Sequence, residues 1–473
     1  MCGDLDQTPI RRPLYSGFFM IRLIDSIEPA DVKTLQELAR LRGLVRLEEI
    51  LKKLGQPATK RAIWSLSVDA ILELEHRAAD TKWKPPHSLA SYWRLDAREF
   101  WRDADPLLKQ LNELDEVDFA YKELMTSNPA TVNPGDDPLF QMQGYLNPAP
   151  DGIDANSVWQ KNANGEGVAF IDLENGWFPF HEDLAPPPPI IFGDNFTLGA
   201  DHGTSVLGIA IGRDNDRGIV GVAPGVSSVR LVSTYHETDT SGSEVACAIG
   251  PATKLLRPGD VLLLEVQRDF KPTEIDDLDF DAIRLAVSNG IIVIEAAGNG
   301  NLNLDSIMTV GSARSLNIKS PKYQDSGAIM VGACGSRVVE IREGIRGHRR
   351  YQHSNYGSRV NCYAWGEEIV TTSTTYGEPG TGFSRYTYGN NIPKFGGTSG
   401  ASAIIAGAAL LLQSLYQIKK MASLLPNVTD PSQNMRAVLS DVETGTGQKL
   451  NFHPDPIGVM PDLKSIINRL GLA

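Results

Sequence analysis

The chain has 473 residues, 41% of them hydrophobic, which is enough apolar surface for a large core and for two or three domains. The formal net charge is −13 and the pI is about 5.2, so long-range repulsion disfavours a phosphate backbone as a partner. We therefore expect a globular protein that binds no nucleic acid.

The amino terminus shows no sign of export. Residues 1–24 lack the basic segment, long apolar run and small-residue cleavage site of a secretory signal. We expect a cytoplasmic location slightly ahead of secretion and leave the compartment open, because the native start could lie upstream. The longest apolar stretch, residues 401–412, is too short to cross a bilayer core of about 30 Å as a helix. It predicts a core helix and no membrane partner.

Residues 1–128 predict a small ferredoxin-like α+β domain. A strand over residues 17–24 precedes a helix whose first turn holds Pro29 and Asp31 and which stops at Gly55. The pattern continues with a strand around Trp93, a helix opened by Asp105 and Pro106, and an alternating strand within residues 116–124.

A Pro-, Gly-, Asn- and Asp-rich stretch follows, so residues 129–136 are expected to form an exposed linker. Residues 137–473 then show a βαβ pattern, in which short apolar strands alternate with helix-like segments such as FDAIRLAVSNG. The predicted strands cover residues 168–171, 229–233, 261–266, 291–295 and 328–333. Apolar strands separated by helices predict an α/β fold whose parallel sheet is covered on both faces. Active sites in such sheets lie at the carboxyl ends of the strands.

Three reactive residues are expected at this carboxyl edge of the sheet. Asp172 directly follows the strand VAFI, His202 precedes a Gly-Thr phrase at a helix start, and Ser399 opens the apolar helix GTSGASAIIAGAALL. An imidazole can take the serine proton during attack on a carbonyl, while a carboxylate orients the imidazole and stabilises its charged form. A tetrahedral oxyanion also needs a donor, and Asn299 in EAAGN can supply its amide there.

The motifs around these residues resemble those of the subtilisin-like serine proteases, the subtilases. The matching phrases are VAFID for the Asp motif, HGTSVLGIAIG with GIVGVAPG for the His motif, EAAGN for the Asn motif and GTSGASAIIAGAALL for the Ser motif. They follow the family's order, and the similarity extends from about Asp137 to the carboxyl terminus.

The resemblance implies a subtilisin-like parallel sheet flanked by helices and a serine endopeptidase that forms an acyl-enzyme on protein or peptide substrates. In the family, the positions of Asp172, His202 and Ser399 are the catalytic triad, and that of Asn299 belongs to the oxyanion hole. No cofactor is implied.

The resemblance also gives the first domain a role. Subtilases commonly carry a ferredoxin-like propeptide, so residues 1–128 are expected to be an inhibitory and chaperone domain. Residues 137–473 would then be the catalytic domain of a self-inhibited zymogen that is cut near the linker.

The sequence departs from the family at three places. Leu173 and Glu174 follow Asp172 where a small hydroxyl residue and glycine are usual, and Ala403 stands where the family has proline. The family's Ser-Leu-Gly cleft segment has no clean match, because LLLEVQRDF with Glu265 and Gln267 takes its place. Substrate preference is therefore left open.

Plainer roles exist for each site residue. Ser399 could cap its helix, His202 could be a core histidine, and Asp172 could cap a strand end or bind a metal. Structural calcium is left open and no metal ligand is assigned. A group of acids at Asp276, Asp277 and Asp279 could bind calcium, although a solvated acidic loop is the commoner case.

Two other functions remain as alternatives to the protease. The altered Asp loop would also suit a catalytically impaired, protease-derived binding or scaffold protein. The same triad would also suit an esterase or amidase.

The four cysteines predict neither a zinc site nor a disulfide framework, because their spacing fits no zinc motif and they are sparse. They are Cys2, Cys247, Cys334 and Cys362. A bond between Cys334 and Cys362 is left open, with two reduced core thiols as the expected state.

Overall fold

The computed structural model describes most of the chain. The described residues are 15–79, 85–97, 104–124, 132–226, 228–237, 244–343, 348–375, 385–388, 395–448 and 455–473. Cys2 and residues 129–131 of the predicted linker lie outside them. The chain divides into two units, one formed by Pro13–Ser127 and the other by the chain from Asn128 onward.

The first unit is an antiparallel sheet with helices. Its strands are β1 (Tyr15–Leu23), β2 (Thr59–Arg61), β3 (Tyr92–Asp96) and β4 (Val117–Leu124), and its helices are α1 (Leu35–Arg42), α2 (Val45–Lys53), α3 (Val68–Ala78) and α4 (Ala104–Asn112). The strand order is β2-β3-β1-β4. This is the order of a ferredoxin-like βαββαβ unit, with α3 added between β2 and β3. The predicted α+β class of this unit is confirmed.

The first predicted helix is in fact two helices. Thr34, and not Pro29 or Asp31, begins α1, because its hydroxyl accepts from the backbone N–H of Glu37 in a capping box. Gly43 ends α1 in the left-handed conformation, with φ of 69°. The apolar stripe continues into α2, so both helices pack on one core. That core contains Phe19, Ile21, Leu35, Leu38, Leu47, Leu51, Trp93, Leu95 and Leu111.

The second unit contains the remaining elements. Its strands are β5 (Ala169–Glu174), β6 (Ile190–Phe192), β7 (Ser228–Ser233), β8 (Val261–Leu264), β9 (Ile292–Ala296), β10 (Ile329–Cys334), β11 (Cys362–Trp365), β12 (Thr372–Thr375), β13 (Arg385–Tyr388), β14 (Thr446–Gly447) and β15 (Val459–Met460). Its helices are α5 (Ala155–Trp159), α6 (Ala200–Ile211), α7 (Val245–Leu255), α8 (Asp277–Ser288), α9 (Arg337–Glu343), α10 (Gly397–Lys420), α11 (Met435–Leu439) and α12 (Leu463–Arg469).

Strands β12 and β13 pair separately as an antiparallel two-stranded sheet. The other nine strands form one sheet in the order β14-β15-β11-β10-β9-β8-β5-β7-β6. Every pair is parallel except β14 with β15. All five predicted strands are present, and the predicted α/β class is confirmed. The carboxyl ends of β5, β8 and β9 are adjacent, because β8 pairs with both β5 and β9.

Helix α10 is the central helix of this unit. By length and apolar composition it could cross a membrane, yet 83% of its most apolar window is buried within the fold. Its small residues allow close packing. A Cβ at Gly407 would lie 2.3 Å from the side chain of Val222, so only glycine fits there. The prediction of a core helix is confirmed, although the helix is longer than the apolar stretch suggested.

The structure also shows the environments of two cysteines and of the predicted acidic loop. Cys334 and Cys362 are free, buried thiols, as expected. The acids of the predicted acidic loop already have protein partners: Asp276 caps α8, Asp277 accepts from Ser312 and Arg314, and Asp279 pairs with Arg268.

Candidate active site

A cleft of about 310 Å³ lies at the carboxyl edge of the sheet in the second unit. It is lined by His202, Glu265, Val266, Gln267, Ala296, Asn299, Gly396, Thr398 and Ser399. The structure thus brings three of the four predicted residues, His202, Asn299 and Ser399, together at one cleft. Asp172, the fourth predicted residue, does not line it.

His202 is oriented by Glu174. The Nδ1 atom of His202, in the first turn of α6, lies 2.5 Å from Oε2 of Glu174, the last residue of β5. The histidine side chain is 39% exposed, whereas that of Glu174 is 5% exposed. The hydrogen bond therefore has a largely buried carboxylate on one side and an accessible imidazole on the other.

Asp172 contacts a different group. It is fully buried within β5, and its Oδ2 accepts a hydrogen bond of 2.7 Å from the indole Nε1 of Trp177. Asp172 and Glu174 are two residues apart on one strand, so their side chains leave the same face of the sheet. The structure therefore places Glu174, and not Asp172, against His202.

The sequence contained a signal for Glu174. In the family's Asp motif a glycine lies two residues after the acid, and Gly176 lies two residues after Glu174 in the same way. In addition, β5 extends three residues beyond the predicted strand end at 171. Gly176 is required there, because a Cβ on it would lie 2.2 Å from the carbonyl oxygen of Phe196. A carboxylate-x-glycine phrase was present, two residues downstream of the acid selected.

Burial and neighbouring charges shift the pKa of both His202 and Asp172. Desolvation disfavours the imidazolium, but the charge of Glu174 and its hydrogen bond outweigh this and raise the pKa of His202 to about 9. Burial, followed by the nearby charge of Glu174, raises the pKa of Asp172 well above its ordinary value. Burial therefore disfavours the ionised form of Asp172.

Ser399 lies in the first turn of α10 and is 7% exposed. The chain enters this turn through Gly397, whose φ of 77° favours glycine. Both Ser399 and His202 line the cleft, although within the described part of the chain no hydrogen bond joins the serine Oγ to the imidazole. Catalytic hydrogen bonds are often long in the absence of substrate.

Asn299 is fixed by the same turn. Its Oδ1 accepts a hydrogen bond of 2.9 Å from the backbone N–H of Thr398, and its own backbone N–H donates to Oε1 of Gln267. Because Oδ1 is engaged, Nδ2 is the end of the amide that remains for a ligand in the cleft. An amide donor beside a serine at a helix start suits the oxyanion of a tetrahedral intermediate.

Glu265 is an active-site carboxyl group that the family pattern does not predict. It directly follows β8 and is 5% exposed, and its Oε1 lies 2.6 Å from Oγ of Ser402 on α10. The sequence had placed it near the cleft without a direction for its side chain.

A cluster of acidic residues surrounds Asp137, and none of them lines the cleft. Ligand atoms of Asp136, Asp137 and Asp214 lie within 4.8 Å of one another. Asp137 is 2% exposed; its Oδ1 accepts from the backbone of Arg217, while Oδ2 has no hydrogen-bond partner in the described residues. Oδ1 of Asn215 is likewise a buried oxygen without a described partner. Asp137 and the loop that holds Asp214 and Asn215 are separate segments of the chain, and their buried oxygens without described partners fit a hard cation such as Ca²⁺.

Comparison with known proteins places the second unit in a family. The family model described as the subtilase family, Peptidase_S8, matches residues 193–442, which is more than half of the chain. The match begins after β5, so it includes His202, Asn299 and Ser399 but neither Asp172 nor Glu174.

Individual relatives agree with the family match. The chain is 24% identical over 326 residues to an intracellular serine protease of Paenibacillus polymyxa, covering 66% of this chain and 86% of the relative. It is 26% identical over 287 residues to subtilisin DY of Bacillus licheniformis, covering 60% and 90%. A solved protease of Pseudoalteromonas arctica shares the fold with a TM-score of 0.50 and 22% identity, covering 71% of this chain and 99% of that one.

Proposed function

Because the chain belongs to the subtilase family and is a serine-type endopeptidase, we propose that it cleaves peptide bonds through Ser399, His202 and Glu174. The observation that carries this assignment is the 2.5 Å hydrogen bond between Glu174 and His202, at a cleft that Ser399 also lines. Glu174 thus takes the role that the sequence had given to Asp172.

The reaction follows from these positions. Nε2 of His202 accepts the proton of Ser399 as the serine Oγ attacks the substrate carbonyl, and Glu174 stabilises the imidazolium that forms. The same proton then passes to the leaving amine, which departs and leaves an acyl-enzyme on Ser399. Water, deprotonated by His202, hydrolyses this ester and restores the serine.

Asn299 supplies one donor for the oxyanion. Its Nδ2 and the backbone N–H of Ser399 would both donate to the negatively charged oxygen. The amino-terminal end of α10 adds a favourable dipole beside that charge. Removing one such donor typically lowers kcat on the order of 10²- to 10³-fold.

A fluorophosphonate probe tests the assignment of the nucleophile. We expect the probe to modify Ser399 in the full chain, and S399A to remain unmodified and unable to cleave casein. A wild-type protein that takes up no label and cleaves no casein, even after limited proteolysis of residues 124–137, would contradict the proposal.

We also propose that the first unit acts as the inhibitory propeptide of a zymogen. Its support is the ferredoxin-like strand order and a core of its own. Mass spectrometry of the full chain checks this: the wild type should acquire a new terminus between Glu123 and Asp137, while S399A should keep its mass of 51.5 kDa. Cleavage at the same bond in S399A would show that another protease does the cutting.

Calcium has a structural role in this proposal and no catalytic one. Asp137 and Asn215 would hold the ion through the oxygens that lack partners, with Asp136 and Asp214 adding negative charge. The ion would neutralise the buried carboxylate of Asp137 and stabilise the loop that holds Asp214 and Asn215. No residue of this site lines the catalytic cleft.

The other functions have less support. A catalytically impaired binding protein is not favoured, because Glu174 replaces the carboxylate that the altered loop put in doubt. An esterase is tested by comparing ester and peptide substrates on one preparation. The name of the Paenibacillus relative supports a cytoplasmic location, which fractionation of the native cells would check.

A further inference from the structure

Glu265 is a buried acid in the cleft that the proposed mechanism does not use. It faces groups from three elements: Asp172 and Glu174 on β5, His202 on α6, and Ser402 on α10. Its backbone N–H donates to the carbonyl oxygen of Leu173, which fixes it beside the end of β5. Its charge state therefore matters to the whole site.

The hydrogen bonds around Ser402 indicate where the proton lies. Oγ of Ser402 is 2.6 Å from Oε1 of Glu265, 2.8 Å from the carbonyl oxygen of Thr398 and 3.0 Å from that of Ser399. A hydroxyl has one hydrogen, and backbone carbonyls can only accept. If Ser402 donates to a carbonyl of its own helix, as serines in helices commonly do, the short contact with Glu265 requires Glu265 to donate.

The second oxygen of Glu265 agrees with this state. Oε2 is buried and accepts no hydrogen bond from any described residue. An ionised carboxylate with one oxygen unsatisfied would carry a large desolvation penalty, whereas a neutral carboxylic acid requires far less. Burial, with the nearby charge of Glu174, also raises the pKa of Glu265 well above its usual range, although the charge of His202 and the hydrogen bond with Ser402 oppose the shift.

On the basis of the proposed function, we infer that Glu265 is a neutral carboxylic acid that donates a hydrogen bond to Ser402 and so positions the turn of α10 that carries Ser399. With Glu265 neutral, the positive charge of the His202 imidazolium is balanced by a single carboxylate, that of Glu174. Glu265 is a positioning residue, since it acts on the nucleophile through Ser402 and the backbone.

The test compares E265Q with E265A by the pH dependence of kcat/KM. Glutamine is neutral, and its amide can donate to Ser402. The acid limb of the pH profile, which is the rise of kcat/KM as His202 loses its proton, should therefore lie at the same pH in E265Q as in the wild type. E265A loses the hydrogen bond, and its kcat should fall on the order of tenfold or more, with a smaller change in KM. An acid limb that moves to lower pH in E265Q would show that the wild-type residue is ionised, and would overturn the inference.

S402A provides a second route in case E265Q does not fold. It removes the acceptor on α10, so kcat should fall about as far as in E265A, and the double variant E265A/S402A should be no slower than either. Additive losses, or a wild-type kcat in S402A, would reject the positioning role.

Fluorophosphonate labelling of the wild type separates this inference from the proposed function. Absence of label at Ser399 rejects the proposed function itself. A labelled wild type with a shifted limb in E265Q rejects only the role of Glu265.

Discussion

Glu174 accepts a hydrogen bond from His202, whereas Asp172, two residues earlier on the same strand and on the same face, accepts one from Trp177. The two acids therefore have separate environments. Glu174 lies at the strand end beside a partly exposed imidazole, while Asp172 is enclosed in the sheet and contacts no cationic side chain among the described residues. Their variants should differ accordingly.

E174Q should lower kcat on the order of 10⁴-fold, because an amide neither fixes the productive tautomer nor stabilises the imidazolium. D172N should cause a far smaller loss, since an asparagine oxygen can still accept from Trp177 and the site gains no charge. Steady-state kinetics on one peptide substrate check the pair, with thermal unfolding as the control for folding. A loss in D172N as large as in E174Q would return the catalytic role to Asp172.

The pH dependence of kcat/KM should have its acid limb well above the ordinary histidine value. His202 must be neutral to accept the serine proton, and its pKa is raised to about 9, so activity should rise as the pH increases towards that value. In a variant such as E174Q the residual activity should show this limb at lower pH. A wild-type limb near the ordinary value of about 6.5 would contradict the strong coupling to Glu174.

The same pair should make stability depend on pH. A histidine whose pKa is raised by folding stabilises the native state fully below its unfolded pKa of about 6.5. That contribution is lost as the pH rises towards about 9 in the folded protein. The difference in Tm between S399A and the double variant S399A/E174Q, neither of which can digest itself, should thus be larger at pH 6 than at pH 10.

Removal of calcium should lower the Tm of the catalytic unit. Without a cation, Asp137 holds a buried oxygen that no described group satisfies, so chelation should destabilise the loop containing Asn215. D137N should abolish most of the difference between calcium and chelator. D216N changes an exposed acid of the same loop and should retain it. Equal calcium responses in the two variants, measured in the S399A background, would place the ion elsewhere.

Much of this architecture could be predicted from the sequence because its signals are local. The buried strands β5 and β7–β10 are near-continuous apolar runs, and the phrases around His202, Asn299 and Ser399 combine small residues with a polar one. Gly43 was missed as a helix end because the apolar stripe continues on both sides of it. The three-residue strand β2 was missed because it depends on pairing with β3 rather than on its own sequence.

The parts of the site that were missed depend on tertiary contacts. Two acids on one strand face offer the same chemistry in a sequence, and only the approach of α6 places Glu174 against His202. The direction of the Glu265 side chain is likewise decided by Ser402, which lies 137 positions further along the chain. Both contacts are decided by side-chain packing in the folded protein, which cannot be read from a single sequence.

A buried ionic cluster in the second unit consists of Arg359, Glu274 and Glu295. Arg359 makes two hydrogen bonds of 2.8 Å to Glu274, and its guanidinium lies 3.6 Å from Glu295; all three side chains are at most 1% exposed. Burial and then the charge of Glu274 raise the pKa of Glu295 well above its usual range, whereas the charge and hydrogen bonds of Arg359 outweigh burial and lower that of Glu274. The two hydrogen bonds from Arg359 therefore favour the ionised form of Glu274, while burial and the charge of Glu274 favour the neutral form of Glu295.

R359M should therefore destabilise the protein by roughly 3–5 kcal/mol, because it leaves a buried charge without its partner. E295Q should cost much less than E274Q, since it replaces a neutral acid by a neutral amide. Urea unfolding in the S399A background measures all three. Because folding lowers the pKa of Glu274, its contribution is present above the unfolded pKa and is lost as the pH falls, so the E274Q penalty should shrink in acid. Equal penalties for E295Q and E274Q at neutral pH would contradict the assigned charges.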